Sequence, residues 1–534
     1  MLSRTNSQAL IALAAIIFST GLAVSTPTSA QQWEPPLGIP NPPFGIGEVR
    51  GIFTHYVDNT NPLATDTGNP NGSPTTPRQT VPPSLPAGSV VEVHGGPYVL
   101  AGSRTWTGSG TAASPVFIVG VGNPVFQGTL SSIIFAGSYF IVEGFVFDSV
   151  KLRLNSPLSH FAVRNSEVRN YSPTSNSEAI SINSTYTVIY KNHIHHNGDS
   201  ERPTELDVHG IKPSTNASKV WIVENHIHHN GGDSIQVGDA TSIEPWAEFI
   251  YIGSNEMHRD RENAVDIKQA RDIIVSQNLA YDYVIRDSSG GEAIVAHNSA
   301  VRIWILFNHV HSSRIGITST GANGFYVVGN VIHDIYHAAS ETAYNPGSYF
   351  GSHAILTYAT TESYHIGNTI WNVDAGISYA NGASKSEFIN NIVGNLTQAS
   401  HHIANAAGYD TGVLSHSLLG GPIRIQWRTL YTSLAGFQTA YPGNGIGVIN
   451  ADPQFVDVAA LNYEPQAGSP VIDNGMPHSV YSTFFSLYGV DITKDIVGRP
   501  RPLGTSFDIG AYELGSGGSP TATAPPAPSN LSVR

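Results

Sequence analysis

Seven lysines serve a chain of 534 residues, and one of them, Lys268, closes the run Glu262-Asn263-Ala264-Val265-Asp266-Ile267-Lys268. Val265 and Ile267 alternate with Asp266 and Lys268, so a strand here turns two apolar side chains inward and an acid and an amine outward. A lysine acts as a base where burial or neighbouring positive charge lowers its pKa from about 10.4. Asp233, Glu262, Asp266 and Glu292 are hard oxygen ligands of the kind that suit Ca²⁺. Together these are parts for removing a proton beside a carboxylate whose charge a cation has neutralised. Hydrolysis is the other reading of the same acids. It needs two carboxylates about 6.5–9.5 Å apart, as Asp233 with Asp266 or Asp266 with Glu292 could supply.

These residues gain meaning from a repeat that must position them. An Asn followed two places later by an apolar residue recurs at 165, 192, 225, 255, 278, 308, 330, 368 and 391. A second phase is interleaved: EAISI at 178, HGIKP at 209, DSIQV at 233, NAVDI at 263, EAIVA at 292, IGITS at 315, HAILT at 353 and AGISY at 375. Two short strand signals per repeat, with period-2 alternation, exclude helical solenoids. The variable insertions exclude a propeller. The expected fold is all-β, a right-handed parallel β-helix of about ten coils, each burying alternate apolar side chains, with stacked Asn side chains satisfying turn backbone groups.

In such a helix, equivalent positions of successive coils stack about 4.8 Å apart. The first column then reads Glu178, His209, Asp233, Asn263, Glu292, Ile315, His353, Ala375. Three positions on it reads Ser181, Lys212, Gln236, Asp266, Val295, Thr318, Leu356, Ser378. Two further on, Gly238, Lys268, His297, Thr320 and Tyr358 follow one another. Polar residues run for five coils and stop after Glu292, a stripe about 19 Å long and the size of a few sugar units. His195, His228, His258, His311 and His333, with Tyr281 between, form another column, read as a stacking ladder and not as a metal array.

A net charge of −14 argues against a surface that clamps nucleic acid. With no cysteine there are no disulfides or thiolate sites. Arg4, the apolar run at 9–24 and Thr28-Ser29-Ala30 read as a secretory signal peptide over 1–30, so a secreted protein without a membrane span is expected. A Pro/Gly-rich N-terminal wrap at 31–85, the β-helix at 86–400, a C-terminal capping segment at 401–514 and a linker tail at 515–534 complete the expected plan, acting as a monomer. Residues 423–440 are the expected helix, shielding an open strand edge.

The repeat resembles that of the pectate-lyase-like superfamily. LPAGSVVEVHGGPYVL at 85–100 and GSYFIVEGFVFD at 137–148 are similar to the first coils of chondroitinase B and alginate lyases. NADPQFVDVAALNYEPQAGSPVIDNG at 450–475 and DIGAYEL at 508–514 are similar to the terminal segment of secreted bacterial β-helix proteins. The resemblance implies a polysaccharide lyase that cleaves an anionic, uronate-containing polymer by β-elimination, with Ca²⁺ as its cofactor. Lys268 then matches the base, and Asn263 stands where a glutamate ligand belongs. Ala296 and His297 occupy the place of the catalytic arginine. His297 and Lys212 become further catalytic candidates, and His209, Arg302, Arg314 and Tyr358 become substrate-binding ones. A β-helix glycoside hydrolase, a uronate epimerase and a non-catalytic surface solenoid stay open as alternatives.

Overall fold

A computed structural model describes residues 33–515 except 205, 242–243, 287–288, 298, 338–350, 381–384, 399 and 407–410. The segment at 1–30, expected to be a signal peptide, and the tail from 516 onward lie outside the described residues. Strands pair in parallel with the third strand further along the chain. Ile235–Val237 bonds to Val265–Lys268, Glu248–Gly253 to Arg271–Ser276, and Glu256–His258 to Leu279–Tyr281. That is a parallel β-helix with three strands per coil, not the two that the repeat suggests.

The strand that escapes the repeat is the second, Ser218–Val223 in one coil, because segments such as 218–228 read as one apolar-alternating stretch. A left-handed residue breaks each of them just before the Asn: Lys191 (φ 54°), Glu224 (55°), Ser254 (51°), Gln277 (54°) and Phe307 (53°). A side chain in that region costs about 1 kcal/mol. The Asn that follows offsets the cost. Asn192, Asn225, Asn255, Asn278, Asn308, Asn330, Asn368 and Asn391 form a buried ladder, each backbone N–H from Asn192 to Asn368 donating to the next amide oxygen at 2.8–3.0 Å. At the first motif the ladder position is Ser166, whose N–H donates to Asn192, and not Asn165.

Asn255 accepts from the Asn225 backbone and side chain at 2.9 and 3.0 Å, and itself donates to the Ile222 carbonyl at 2.8 Å. Asn255→Ala strands these buried groups and is expected to cost about 2–4 kcal/mol in denaturant unfolding. A loss below 1 kcal/mol would show that the ladder is decoration.

Inward-facing aliphatics stack with the same regularity. Ile180, Ile211, Ile235, Val265, Ile294, Ile317, Ile355, Ile377, Ile403 and Ile425 are register partners and fully buried. Among the described residues this column's ladder counts fourteen rungs, from Ser84–Pro86 to Ile425–Trp427, so it is longer than ten coils and passes residue 400. The early coils carry no Asn motif. Phe126, Phe135, Phe140, Phe145, Phe147 and Phe161 fill their interior, which hides them from a search for the repeat.

The segment before residue 50 lies along the outside of the coils: Trp221 donates to the Pro40 carbonyl at 2.7 Å, and Arg164 to those of Gly45 and Ile46 at 3.1 and 3.0 Å. Residues 423–440 are not one helix. Ile425–Trp427 adds the last parallel rung and turns back on Thr429–Tyr431, and only Leu434–Ala440 is helical. Phe437 packs on Trp427 at 5.4 Å between ring centroids, covering the end of the core. A second helix, Ser479–Tyr488, sits against Trp304 through Phe484. Among the described residues no helix is long and apolar enough to cross a membrane.

Candidate functional site

The first strand of each coil presents the polar columns, in the register that the sequence implies. Gln236 pairs with Asp266 and Asp266 with Val295; Lys268 pairs with His297, His297 with Thr320, and Thr320 with Tyr358. Inward Val265 and Ile267 anchor this strand, so Asp266 and Lys268 stand on its outer side.

Asp266 is the hub of this face. Its Oδ1 accepts from His297 Nε2 at 2.6 Å, and its Oδ2 lies 2.9 Å from Lys268 Nζ. Burial alone would raise the Asp266 pKa, but the His297 hydrogen bond and the Lys268 charge bring it below the usual carboxylate range. Lys268 answers in kind. Burial works to lower its pKa, and Asp266, Asp233 and Glu262 outweigh that and raise it. These neighbours favour the ammonium form, opposite to the lowered pKa that a lysine base requires. Its side chain is 21% exposed and that of His297 28%, so both reach solvent while Asp266 at 5% does not.

A second cluster lies at the start of the same strands. The Asp233 backbone N–H donates to His209 Nδ1 at 3.0 Å, and Asp233 Oδ2 sits 3.1 Å from that nitrogen with no hydrogen-bond partner. Burial, reinforced by Asp266 and Glu262, pushes Asp233 well above the carboxylate range. Burial and Lys212 hold His209 at about 4, hence neutral. His209, Asp233 and Glu262 bring three ligand atoms within 4.8 Å of one another, a possible metal-binding group.

The four-carboxylate cage expected for Ca²⁺ is not assembled. Asp266 is taken by His297 and Lys268. Glu262 pairs with the buried Arg261 at 3.2 Å, and Glu292 accepts from Asn263 at 3.4 Å and Ser289 at 3.5 Å. Two carboxylates and an imidazole are a poor match to the six to eight oxygens that Ca²⁺ takes.

Other candidates separate in space. Lys212 pairs with Asp239 at 2.6 Å. His209 is 4% exposed, so it supports the strand from beneath and cannot line a substrate surface. Arg314 donates to the Gly290 carbonyl at 2.9 Å, bracing the turn before Glu292. Tyr358 stays in the His297 column, two rungs on. Arg302 belongs elsewhere: it lies on the second strand, Val301–Leu306, where both Asp272 oxygens accept from it at 2.7 and 2.6 Å and Tyr488 also bonds Asp272. Arg302→Ala should leave turnover unchanged and cost about 1 kcal/mol of stability. A large loss of activity at unchanged melting would return Arg302 to the site.

Arg261 is a buried partner of the site carboxylates. Its side chain is fully buried between Asp207 at 3.3 Å and Glu262 at 3.2 Å, and nothing in its spacing marks it as internal.

The fold is the parallel β-helix. No protein-family model and no curated protein matches the sequence. Among solved structures, a mannuronic acid specific polysaccharide family 6 lyase from human gut microbiota is 14% identical, covering 69% of this chain and 87% of its own, with a TM-score of 0.48. Pectate lyase Pel9A is 13% identical over 87% of this chain and 97% of its own, with a TM-score of 0.42. A family GH136 lacto-N-biosidase from Eubacterium ramulus is 11% identical over 70% of this chain and 68% of its own, with a TM-score of 0.41. At 11–14% identity the likeness to these structures is one of fold.

Proposed function

We propose that this protein is a secreted polysaccharide lyase that cleaves an anionic, uronate-containing polymer by β-elimination on the first-strand face. The observation that carries this reading is the Lys268–Asp266–His297 group. A fixed cation and an oriented imidazole sit on adjacent rungs of one column, both reaching solvent above a buried carboxylate.

β-Elimination asks for that pair. Lys268 neutralises the uronate carboxylate, which acidifies the proton on the adjacent ring carbon. His297, oriented by Asp266, takes that proton. The electron pair left on carbon forms the ring double bond as the bond to the glycosidic oxygen breaks, and the imidazolium returns its proton to that oxygen. Tyr358, two rungs along the same column, is placed to line the next sugar position. Hydrolysis is less well served: Asp233 and Asp266 are buried, and Asp266 is held by His297 and Lys268, so neither carboxylate is presented to an attacking water.

The test is incubation of the purified protein with pectate, alginate and glycosaminoglycans. Ultraviolet absorbance of an unsaturated sugar is expected with one of them. New reducing ends without that absorbance would mean hydrolysis, and no product from any of them would leave a binding solenoid.

A further inference from the structure

The third strands of three successive coils carry a histidine face that the proposed reaction does not use. His193–His195, His226–His228 and Glu256–His258 stack in register, with Ile194, Ile227 and Met257 turned into the core. Their outer residues therefore form two adjacent columns, His193-His226-Glu256 and His195-His228-His258. Within each column the rings lie face to face, 4.9 Å apart for His193 and His226 and 5.1 Å for His195 and His228.

A stacking ladder accounts for those spacings. It does not account for the contacts between columns, where imidazole nitrogens meet directly. His193 Nε2 lies 2.8 Å from His228 Nε2, and His226 Nε2 lies 3.0 Å from His258 Nε2. A tetrahedral ion with metal–nitrogen bonds of 2.0–2.1 Å holds its ligand atoms about 3.3 Å apart. His193, His226 and His228 bring one ligand nitrogen each within 4.8 Å of one another, so small side-chain rotations place all three at bonding distance.

We infer that His193, His226 and His228 form a binding site for one divalent transition-metal ion of the zinc class. Imidazole is the ligand this class prefers and Ca²⁺ does not. Two flanking groups, Glu167 with His193 and His195, and Glu256 with His226 and His258, offer a carboxylate in place of one imidazole. Both carboxylates are committed: Glu167 to Arg169 at 2.6 Å and Glu256 to Tyr281 at 2.9 Å. The all-histidine group is the one that a metal recruits without taking a carboxylate from Arg169 or Tyr281. An ion there ties two successive rungs together on a face separate from the Lys268 columns.

Zn²⁺ alone, titrated calorimetrically into the full metal-stripped chain, should bind at one equivalent and raise the melting temperature. Co²⁺ in its place should give the intense visible bands of tetrahedral coordination. His228→Gln and His226→Asn should each weaken binding at least tenfold and abolish those bands, while His309→Gln, on the same face at a higher rung, should leave both intact. Binding that never saturates, or that survives both substitutions, would overturn the assignment. So would octahedral Co²⁺ bands at full occupancy. Because the readouts are metal affinity and spectrum, failure of the lyase reading leaves this test untouched.

Discussion

Lys268→Ala and His297→Ala should each lower turnover on the responsive polysaccharide by about 10²–10⁴, the range for losing a positioned proton-transfer or charge-stabilising group. Both variants should stay folded but melt somewhat earlier than the parent, because each removal leaves the buried Asp266 with one of its two partners. Lys268→Arg separates the roles. If Lys268 acts as the fixed cation, a guanidinium keeps much of the rate, whereas a neutral lysine base has no arginine substitute. His297→Gln should not be rescued in this way, since glutamine carries no proton between carbon and oxygen. Lys212→Ala is the comparison: that amine is held by Asp239, and its loss should change apparent substrate affinity more than rate. Near-normal activity in a folded His297→Ala protein would move the proton transfer elsewhere.

Acid should unfold the protein earlier than its carboxylate content suggests. His309, His365 and His401 are buried with pKa values held down to about 3, in each case first by burial, with neighbouring imidazoles adding to it for His309 and His401. The folded values lie below the unfolded value of about 6.5, so the unfolded chain takes up the protons. The stability these groups contribute is present above about pH 6.5 and is lost as pH falls toward 3. At pH 4 the loss is on the order of 3 kcal/mol for each group, and three such losses rival the whole stability of a typical domain. Asp260 and Glu513 oppose the trend. Burial raises both to about 7, so their contribution is present below about pH 4 and lost as pH rises through 7. The histidines outweigh them, since His209, His193 and His311 are also lowered to about 4. Thermal melting should therefore rise from pH 4 to pH 6.5, with unfolding at room temperature near pH 4. A flat profile across that window would contradict the buried, neutral state of these imidazoles.

Much of the candidate site was legible because a parallel β-helix turns sequence offsets into spatial columns. Aligning the small-residue–Ile pairs places Lys268 under His297, His297 under Thr320 and Gln236 under Asp266, and the register agrees at each pair. The histidine column was equally plain: His195, His228, His258, Tyr281, His311 and His333 are successive partners. Both follow from local information, a strand period of two and a turn marked by one residue type.

What the sequence alone determined, then, is the all-β solenoid, its inward and outward faces, and which side chains share a column. Tertiary structure decided the second strand of each coil, since a left-handed residue such as Glu224, which ends it, carries no sequence mark that separates it from its extended neighbours. It decided that Arg302, close to His297 in sequence, belongs to another face, because Arg302 lies on the second strand, Val301–Leu306, and pairs there with Asp272. It also divided the carboxylates between partners: Asp266 to Lys268 and His297, Glu262 to Arg261, Glu292 to Asn263. Columns are set by backbone hydrogen bonds that repeat every coil, so they can be read from spacing. Partner choice and protonation are set by burial and by charges arriving from neighbouring coils, and those distances exist only once the coils have stacked.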